Sequence, residues 1–253
     1  MRVIINADDL GATEAVNDAI LELMARKCVT SATLLANGPA ITKVVRELVH
    51  FPYCSFGIHL NITEYWPISS EKGLTPILDK TGAFNGVLNT NPKGIGKRFS
   101  LLAAIAREWS SQIESLLAQR IKLSHFDSHH HVHTLPVLFP VLKYLQRRFG
   151  IRKARISKNI YRPCEQVSKA KSTKKFIYNN LLRYIDTTTT TSGFTDFLTF
   201  FDNAKQNNIQ HETVEIMVHP GQITEDIAEH ELLSSPWKES IPYEVELINY
   251  NQL

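Results

Sequence analysis

The sequence predicts an α/β barrel, closed or nearly closed, in which parallel strands lie inside a layer of helices. Short apolar runs alternate with segments of helical periodicity along most of the chain, a pattern that is typical of repeated strand–helix units. The apolar runs are near-continuous, as expected of parallel strands that are buried on both faces. A chain of 253 residues suits one barrel domain, and we find no internal repeat or linker that would divide residues 1–253.

The pattern is regular as far as residue 61 and then breaks. Strands are predicted at 2–6, 31–37 and 55–60, and helices at 14–27 and 39–50. The first of these helices has apolar residues along one face: Ala15, Ala19, Ile20, Leu23 and Met24. Residues 62–98 contain three prolines, five glycines and the turn signal Asn85-Gly86. A connection of this length inside a compact domain is usually functional or disordered.

The pattern resumes at residue 99. Helices are predicted at 99–119, 136–150 and 195–206, and strands at 123–128, 154–157, 213–221 and 243–253. The first of these helices has a buried stripe made of Leu102, Ile105, Trp109, Ile113 and Leu116. Gly150 is expected to end its helix, since glycine adopts the left-handed conformation that closes many helices. Residues 157–194 show no clear pattern and could contain one further unit.

Composition and charge exclude several classes of protein. The formal net charge of +3 predicts no strong attraction to nucleic acid, and we interpret the lysine-rich stretch 168–175 as a solvated surface. No stretch of apolar residues is long enough to predict a membrane span. The three cysteines are widely separated, which argues against a thiolate zinc site. The opening MRVIINADD does not resemble a signal peptide, so we expect a cytoplasmic protein.

Polar residues that could bind a metal or move a proton follow the predicted strands. In parallel α/β folds, ligands bind at the carboxyl ends of the strands. The stretches NADDLG, GIHLN, FDSHHHVH and MVHPG each occupy such a position. Each stretch alone could be a helix cap, a buried barrel-end histidine or a turn. Because all four would meet at one mouth of the barrel, we predict a metal-centred active site there.

The residue types narrow the chemistry of that site. Carboxylate and imidazole ligands suit zinc, manganese, iron, cobalt or nickel better than calcium. Three protein ligands with one open position are typical of a catalytic rather than a structural site. Water on such an ion becomes acidic enough to act as a nucleophile. A nearby carboxylate could take the proton of that water, and a histidine could protonate the leaving group.

Strand geometry constrains which side chains can face the site. Neighbouring residues of an ideal strand point to opposite faces, so Asp8 and Asp9 can share the site only if the strand is ending there. Within the histidine run, His129, His131 and His133 would share one face of an extended chain. We favour His129 as a metal ligand, with the other two as supporting or substrate-facing groups.

Together, the motifs resemble a known family. The stretches NADDLG, TSATLLANGPA, GIHLN, FDSHHHVHTLPVLFPVL and MVHPG are similar, in this order, to those of the YdjC-like carbohydrate deacetylases. The resemblance extends from Met1 to the closing segments HELLSS and VELINYNQL. It implies a deformed TIM-like barrel and a metal-dependent hydrolase that removes N-acetyl groups from an N-acetylated sugar or chitooligosaccharide and releases acetate.

The resemblance also implies roles for individual residues. The ligands of one divalent ion, magnesium or zinc, would be Asp9, His59 and His129. The catalytic groups would be Asp8 as general base and His219 as general acid, with Arg155 orienting Asp8 or stabilising its charge.

The chain departs from the family after GIHLN. Many relatives have a glycine shortly before a proline there, whereas this chain reads ITEYWPIS. The aromatic faces of Tyr65 and Trp66 could stack on sugar rings, or could serve an interface or the core. The basic region 157–186 also matches nothing in the family, and both regions would shape substrate choice. The residues predicted to contact substrate are Asn61, Trp66, His131 and His133.

Two alternatives stay open at this point. The same cluster could serve another metal-dependent hydrolase such as a phosphoesterase, with His131, His133 and Arg155 supplying cationic groups. A non-catalytic sugar-binding barrel is the second, although binding alone does not require a carboxylate beside a metal. The expected partner is a small carbohydrate, with no nucleic acid and no membrane. A homodimer is compatible with the sequence, because the segment 62–98 could pack on a second subunit.

Overall fold

A sheet of seven parallel strands forms the centre of the described structure, which comprises residues 1–86, 99–221 and 226–253 of a computed structural model. In chain order the strands are β1 (Arg2–Leu10), β2 (Ser31–Leu34), β3 (Ser55–Leu60), β4 (Leu123–Ser128), β5 (Gly193–Asp196), β6 (Thr213–Val218) and β7 (Glu246–Leu247). The strand predictions at 55–60 and 123–128 are confirmed. β1 extends beyond its predicted end, and β2 ends before its predicted end.

All the strands run in the same direction, so their carboxyl ends lie on one side of the sheet. The sheet runs β4-β3-β2-β1-β6-β5, with β7 beside the first residues of β1. Every one of these pairs is parallel. β1 to β6 are buried over most of their length, whereas the two residues of β7 are not. The sheet curls into a half-barrel with helices around it, so the predicted α/β fold of the deformed TIM-like type is confirmed.

The segment 153–160 spans the gap between the edge strands β4 and β5. We predicted a strand at 154–157, and this was wrong, because the segment makes only isolated bridges. Ala154 pairs with Phe126 of β4, and Lys153 pairs with Thr189. A few residues later, Asn159 N donates to Phe194 O of β5 at 3.2 Å. Since the partner changes within a few residues, no continuous ladder forms.

The helices are α1 (Glu14–Ala25), α2 (Ile41–Val44), α3 (Phe99–Ala118), α4 (Phe139–Phe149), α5 (Lys169–Tyr184), α6 (Phe197–Lys205) and α7 (Asp226–Ser234). Short 3₁₀ turns occur at Glu47–His50, Lys72–Ile77, His129–Thr134, Pro136–Leu138, Trp237–Ser240 and Tyr250–Gln252. The helix predicted at 39–50 is therefore broken into one short helix and a 3₁₀ turn. Ala40, Val44 and Leu48 of that stretch are buried, whereas Val49 near its end is 75% exposed.

Two predicted apolar faces differ from the observed buried faces at one position each. In α1, Ala15 is exposed, and Val16 takes its place in the buried face with Ile20, Leu23 and Met24. In α3, Leu101 is buried more deeply than Leu102, while Ile105, Trp109, Ile113 and Leu116 are buried as predicted. Gly150 ends α4 with a φ of 70°, as expected. Among the described helices, none combines the length and the apolar character that crossing a membrane requires.

The unassigned stretch 157–194 does contain a further unit, formed by α5 and β5. The lysine-rich stretch begins α5 and is mostly exposed, as predicted. Ser168 caps the helix, because its side chain accepts from Lys171 N. The helical pattern was obscured because α5 has apolar residues on its exposed side, among them Phe176, Ile177 and Tyr184.

The last predicted strand, 243–253, is reduced to the two residues of β7. Asn249 caps the 3₁₀ turn that follows, and its side chain accepts from Asn251 N. This turn directs Tyr250 into the interior, where it is fully buried. In the long connection 62–98, residues 78 and 84 form an antiparallel bridge, and the predictions that concern 87–98 lie outside the described residues.

Candidate active site

A cavity of about 960 Å³ opens at the carboxyl ends of β1, β3, β4 and β6. This is the side of the sheet where the sequence analysis predicts the chemistry. The predicted site residues that line the cavity are Asp8, Asp9, His59, His129, His131 and His219. The fold therefore brings side chains from four separate parts of the chain to one place.

A bulge at the end of β1 brings both of its aspartates to this cavity. We expected β1 to end before Asp8, whereas it continues to Leu10. Its register against β2 shifts between Ala7 and Leu10, and Asp9 adopts a left-handed backbone with φ of 64°. A bulge breaks the alternation of side chains along a strand. Two neighbouring carboxylates can therefore reach the same cavity.

Asp9, His59 and His129 bring one potential ligand atom each to a common point. Asp9 Oδ1 lies 3.1 Å from His59 Nε2 and 2.8 Å from His129 Nδ1. All three ligand atoms lie within 4.8 Å of one another. Donor atoms that share an ion at about 2.1 Å are about 3 Å apart when they meet at right angles. The residues present therefore fit a small divalent cation.

The charges around this cluster favour a cation. Burial lowers the pKa of His59, but Asp127 and Asp9 outweigh burial and hold that pKa well above its usual value. Burial also opposes a rise in the pKa of His129, yet Asp9 and Glu64 raise it to about 9. Burial raises the pKa of Asp9, and hydrogen bonds with both histidines overcome this and lower it. Positive charge is stabilised here, whether protons or a metal ion carry it.

His59 is oriented from behind by Asp127 and Thr33. His59 Nδ1 lies 2.7 Å from Asp127 Oδ1 and 3.1 Å from Thr33 Oγ1. The Thr33 hydroxyl donates to Asp127 Oδ2 at 2.9 Å. A carboxylate behind a histidine fixes its tautomer and makes its other nitrogen a better metal ligand. Here that other nitrogen, Nε2, is the one that faces Asp9.

Asp8 is held from below by Arg155. The guanidinium donates from Nη1 to Asp8 Oδ2 at 2.6 Å and from Nη2 to Asp8 Oδ1 at 2.7 Å. The same side chain lies 2.9 Å from Asp127 Oδ2 and 2.7 Å from Glu215 Oε1. Tyr250 donates to the second oxygen of Glu215 at 2.6 Å. Arg155 is fully buried, so one cation joins three carboxylates beneath the cavity.

The carboxyl groups of this buried network differ in pKa. Burial raises the pKa of Glu215 to about 7, although Arg155 and Tyr250 act in the opposite direction. Burial also raises the pKa of Asp127, but Arg155 and His59 reverse this and leave it below its usual range. Glu215 therefore accepts a proton more readily than Asp127 does.

His219 follows β6 and stands at the open side of the cavity. Its Nε2 lies 3.9 Å from Asp8 Oδ2, and its side chain is 35% exposed. An imidazole with this exposure can meet a bound molecule while remaining close to Asp8. The structure thus brings the predicted acid and the predicted base into one cavity.

The histidine run does not continue β4 as an extended chain. β4 ends at Ser128, and His129–Thr134 form a 3₁₀ turn in which His130 and His131 have left-handed backbones. The expected alternation of side chains is therefore lost after His129. His131 lines the cavity and packs edge-on against Phe194, with ring centroids 5.6 Å apart. Burial holds the pKa of His131 well below its usual value.

Three of the residues predicted to contact substrate are not among the described residues that line this cavity. His133 is fully buried, with Nδ1 at 2.5 Å from Ser128 Oγ and Nε2 at 3.2 Å from Arg155 O. Asn61 shapes the turn after β3, because its Oδ1 accepts from the backbone N of residues 63 and 64. Trp66 is 60% exposed. Substrate contact by these three residues stays a prediction.

The sequence analysis missed Glu64 as a site residue. Glu64 lines the cavity, and its Oε1 lies 3.1 Å from His130 Nε2 and 3.4 Å from His129 Nε2. Hydrogen bonds with these two histidines lower the pKa of Glu64 well below its usual range. For metal binding and proton transfer we considered only residues at strand ends, whereas Glu64 lies in the turn after β3. The acidic residue in NITE, just beyond GIHLN, was the available signal.

The support of the site was also missed in part. The sequence analysis assigned no role to Asp127, Thr33, Glu215 or Tyr250. Each of these lies within a strand or a turn and faces the interior of the barrel. Buried polar residues inside apolar runs were the signal that could have identified them.

Comparisons with known proteins identify relatives that match most of the chain. The chain is 30% identical over 236 residues to a protein named carbohydrate deacetylase from Oceanobacillus iheyensis, which covers 91% of this chain and 90% of the relative. It is also 30% identical over 232 residues to carbohydrate deacetylase 1 of Listeria innocua, covering 90% and 85% of the two chains.

A solved structure has a similar fold. A crystal structure from Enterococcus faecalis, provisionally described as a cellobiose-phosphate cleavage protein, superposes with a TM-score of 0.76 at 26% identity, covering 99% of this chain and 98% of that chain. The family model described as YdjC-like protein matches residues 2–247. From these matches and from the cluster at the barrel mouth we conclude that the chain belongs to the YdjC-like family.

Proposed function

We propose that this protein is a metal-dependent deacetylase that hydrolyses the N-acetyl group of an N-acetylated sugar or chitooligosaccharide. The observation that carries the proposal is the position of Asp8, which shares one cavity with the Asp9–His59–His129 cluster. The similarity to proteins named carbohydrate deacetylases supports the same reaction.

Asp9, His59 and His129 would hold the metal ion. When bound, a divalent ion would lower the pKa of a water molecule and polarise the acetyl carbonyl. Magnesium prefers oxygen ligands, whereas imidazole suits zinc and its neighbours among the transition metals. Two imidazoles among the three donors therefore favour zinc over magnesium.

The remaining residues handle the protons. Asp8 takes a proton from the water that attacks the acetyl carbonyl carbon, and Arg155 holds both oxygens of Asp8 in place for this transfer. When the carbon–nitrogen bond breaks, His219 gives a proton to the departing nitrogen. The products are acetate and a sugar with a free amine.

A phosphoesterase is less compatible with the cavity. The described residues that line it include no lysine or arginine, although phosphoryl transfer usually relies on such groups or on two metals. The guanidinium of Arg155 is buried and already paired with three carboxylates. His133 is buried away from the cavity as well.

The decisive experiment is a screen for acetate release from N-acetylated mono- and oligosaccharides in the presence of several divalent metals. We expect acetate release with at least one sugar and no phosphate release from sugar phosphates. Phosphate release without acetate release would favour the phosphoesterase. Tight sugar binding without acetate release in metal-replete protein would favour the non-catalytic alternative.

Metal removal should abolish activity and lower stability together. We expect chelation to stop acetate release, and one equivalent of zinc per chain to restore it more fully than magnesium. A ligand at 100 times its Kd stabilises a folded protein by about 2.7 kcal/mol, so zinc should raise the Tm by several degrees. Metal content and Tm are measured on the same samples.

Two variants sharpen this prediction. His129→Ala removes a proposed ligand and should lose both the bound zinc and the rise in Tm. His50→Ala removes an exposed histidine at the end of a 3₁₀ turn and should lose neither. Equal zinc binding by the two variants would contradict the proposed ligand set.

A further inference from the structure

Tyr65 has a backbone conformation that bulky residues seldom adopt. Its φ is 62°, in the left-handed region. For residues other than glycine this conformation is disfavoured, by roughly tenfold or more in population. Outliers of this kind concentrate at functional sites, where the surrounding structure imposes them.

The surroundings of Tyr65 do impose it. Asn37 Nδ2 donates to Glu64 O at 3.2 Å and to Trp66 O at 3.0 Å. Asn61 Nδ2 also donates to Glu64 O, at 2.8 Å. Phe84 N donates to Tyr65 O at 2.8 Å. The carbonyl groups of three consecutive residues are therefore anchored from outside the turn.

This conformation separates the two neighbouring aromatic residues. Tyr65 lines the cavity together with Asp9, His59 and His129. Trp66, one of the residues that we predicted to contact substrate, is 60% exposed and is not among the described residues that line the cavity. Burial and the negative charges of Glu64 and Asp9 raise the pKa of Tyr65.

Tyr65 also differs in kind from the rest of the cavity wall. The other described residues of the wall are acidic, small, short aliphatic or imidazole side chains, and none of them is phenylalanine, tyrosine or tryptophan. Pyranose rings present apolar C–H faces, and aromatic rings supply flat apolar area with few rotatable bonds. Tyr65 is thus the described wall residue whose shape suits a sugar ring.

We propose that Tyr65 is a specificity-determining residue whose ring stacks on a sugar ring of the N-acetylated substrate, and that the left-handed turn exists to aim it into the cavity. The inference rests on the proposed function, because it names how that substrate is recognised. The sequence analysis considered both aromatic residues for stacking and counted only Trp66 among the predicted substrate contacts, whereas this inference selects Tyr65.

The backbone part of the proposal is tested by two pairs of variants. Tyr65→Ala and Tyr65→Gly both remove the ring and differ only in the Cβ. Because glycine adopts positive φ without strain, Tyr65→Gly should melt about 2–4 °C above Tyr65→Ala. At Trp66 the order should be reversed, with Trp66→Gly melting below Trp66→Ala. The same order at both positions would overturn the backbone part.

The recognition part is tested by binding without turnover. In an Asp8→Asn background, in which turnover is expected to be slower by roughly 10²–10⁴-fold, calorimetry measures the Kd for N-acetylglucosamine and N,N′-diacetylchitobiose. Aromatic stacking of this kind corresponds to about a three- to tenfold loss of affinity when the ring is removed. We therefore expect that loss for Tyr65→Ala and Tyr65→Gly, little change for Tyr65→Phe, and little change for Trp66→Ala.

The outcomes separate this inference from the proposed function. If the wild-type protein releases acetate from these sugars but Tyr65→Ala binds them as tightly as Tyr65→Phe, stacking by Tyr65 is wrong and the deacetylase proposal stands. If Trp66→Ala loses the affinity instead, the sequence-based assignment to Trp66 was right. If the wild-type protein neither binds nor hydrolyses any N-acetylated sugar, the proposed function fails, and the role of Tyr65 fails with it.

Discussion

Asp8→Asn is expected to lower kcat for acetate release by roughly 10²–10⁴-fold, the usual contribution of a general base. An amide cannot accept the proton of the attacking water, so that step is lost. The fold should survive, because Arg155 keeps its contacts with Asp127 and Glu215. Zinc binding should survive as well, because Asp9, His59 and His129 are unchanged. Steady-state kinetics and metal analysis on the same preparation measure both effects.

Asp202→Asn is the matched control for this prediction. It makes the same change of carboxylate to amide at an exposed position of α6, outside the cavity, and should leave kcat within about twofold of wild type. If Asp8→Asn retains most of its activity with one zinc bound, Asp8 is not the base. If it loses zinc as well, Asp8 belongs to the ligand set.

Arg155→Met is expected to have the largest effect on stability. It leaves Asp8, Asp127 and Glu215 buried around a position that no longer carries a positive charge. Removing one partner of a buried ion pair costs about 3–5 kcal/mol, and we therefore expect a fall in Tm on the order of 10 °C. Activity at temperatures where the variant is folded should also fall, because Asp8 loses its bidentate partner.

Arg148→Met is the control for Arg155→Met. Arg148 lies on α4 and pairs with Glu114, but both side chains are largely exposed. Exposed pairs contribute little to stability, so its Tm should stay within about 2 °C of wild type. Thermal unfolding of both variants decides the point. Equal changes in Tm would mean that the buried network does not depend on Arg155.

Elements that depend on the local sequence could be predicted, whereas a segment whose pairing depends on distant strands could not. β3 and β4 match their predictions because each is a short run with apolar residues that lies between a helical segment and a polar turn. The stretch 153–160 begins with KARIS, in which polar and apolar residues alternate, yet it pairs with different partners at each end and forms no strand. Whether a segment pairs with two edges of a curled sheet depends on the distance between those edges. The local sequence does not encode that distance.

The candidate site was predicted in the same uneven way. The strand ends NADDLG and GIHLN correctly indicated where Asp9 and His59 meet, because parallel strands place their carboxyl ends together. The position of His133 was not predictable from its spacing. Period-two alternation holds only while the chain is extended, and the chain turns at His129. His133 then points into the barrel toward Ser128.

The sequence by itself determined the α/β architecture, the side of the sheet that carries the chemistry, and the identity of most of the groups that meet there. Those features depend on local periodicity and on strand ends, which neighbouring residues encode. The tertiary structure alone decided that a bulge turns the neighbouring Asp8 and Asp9 toward the same cavity and that Arg155 lies beneath them. It also decided that Tyr65 rather than Trp66 lines the cavity. These outcomes depend on contacts between segments far apart in the chain, which set the backbone angles and burial of each side chain.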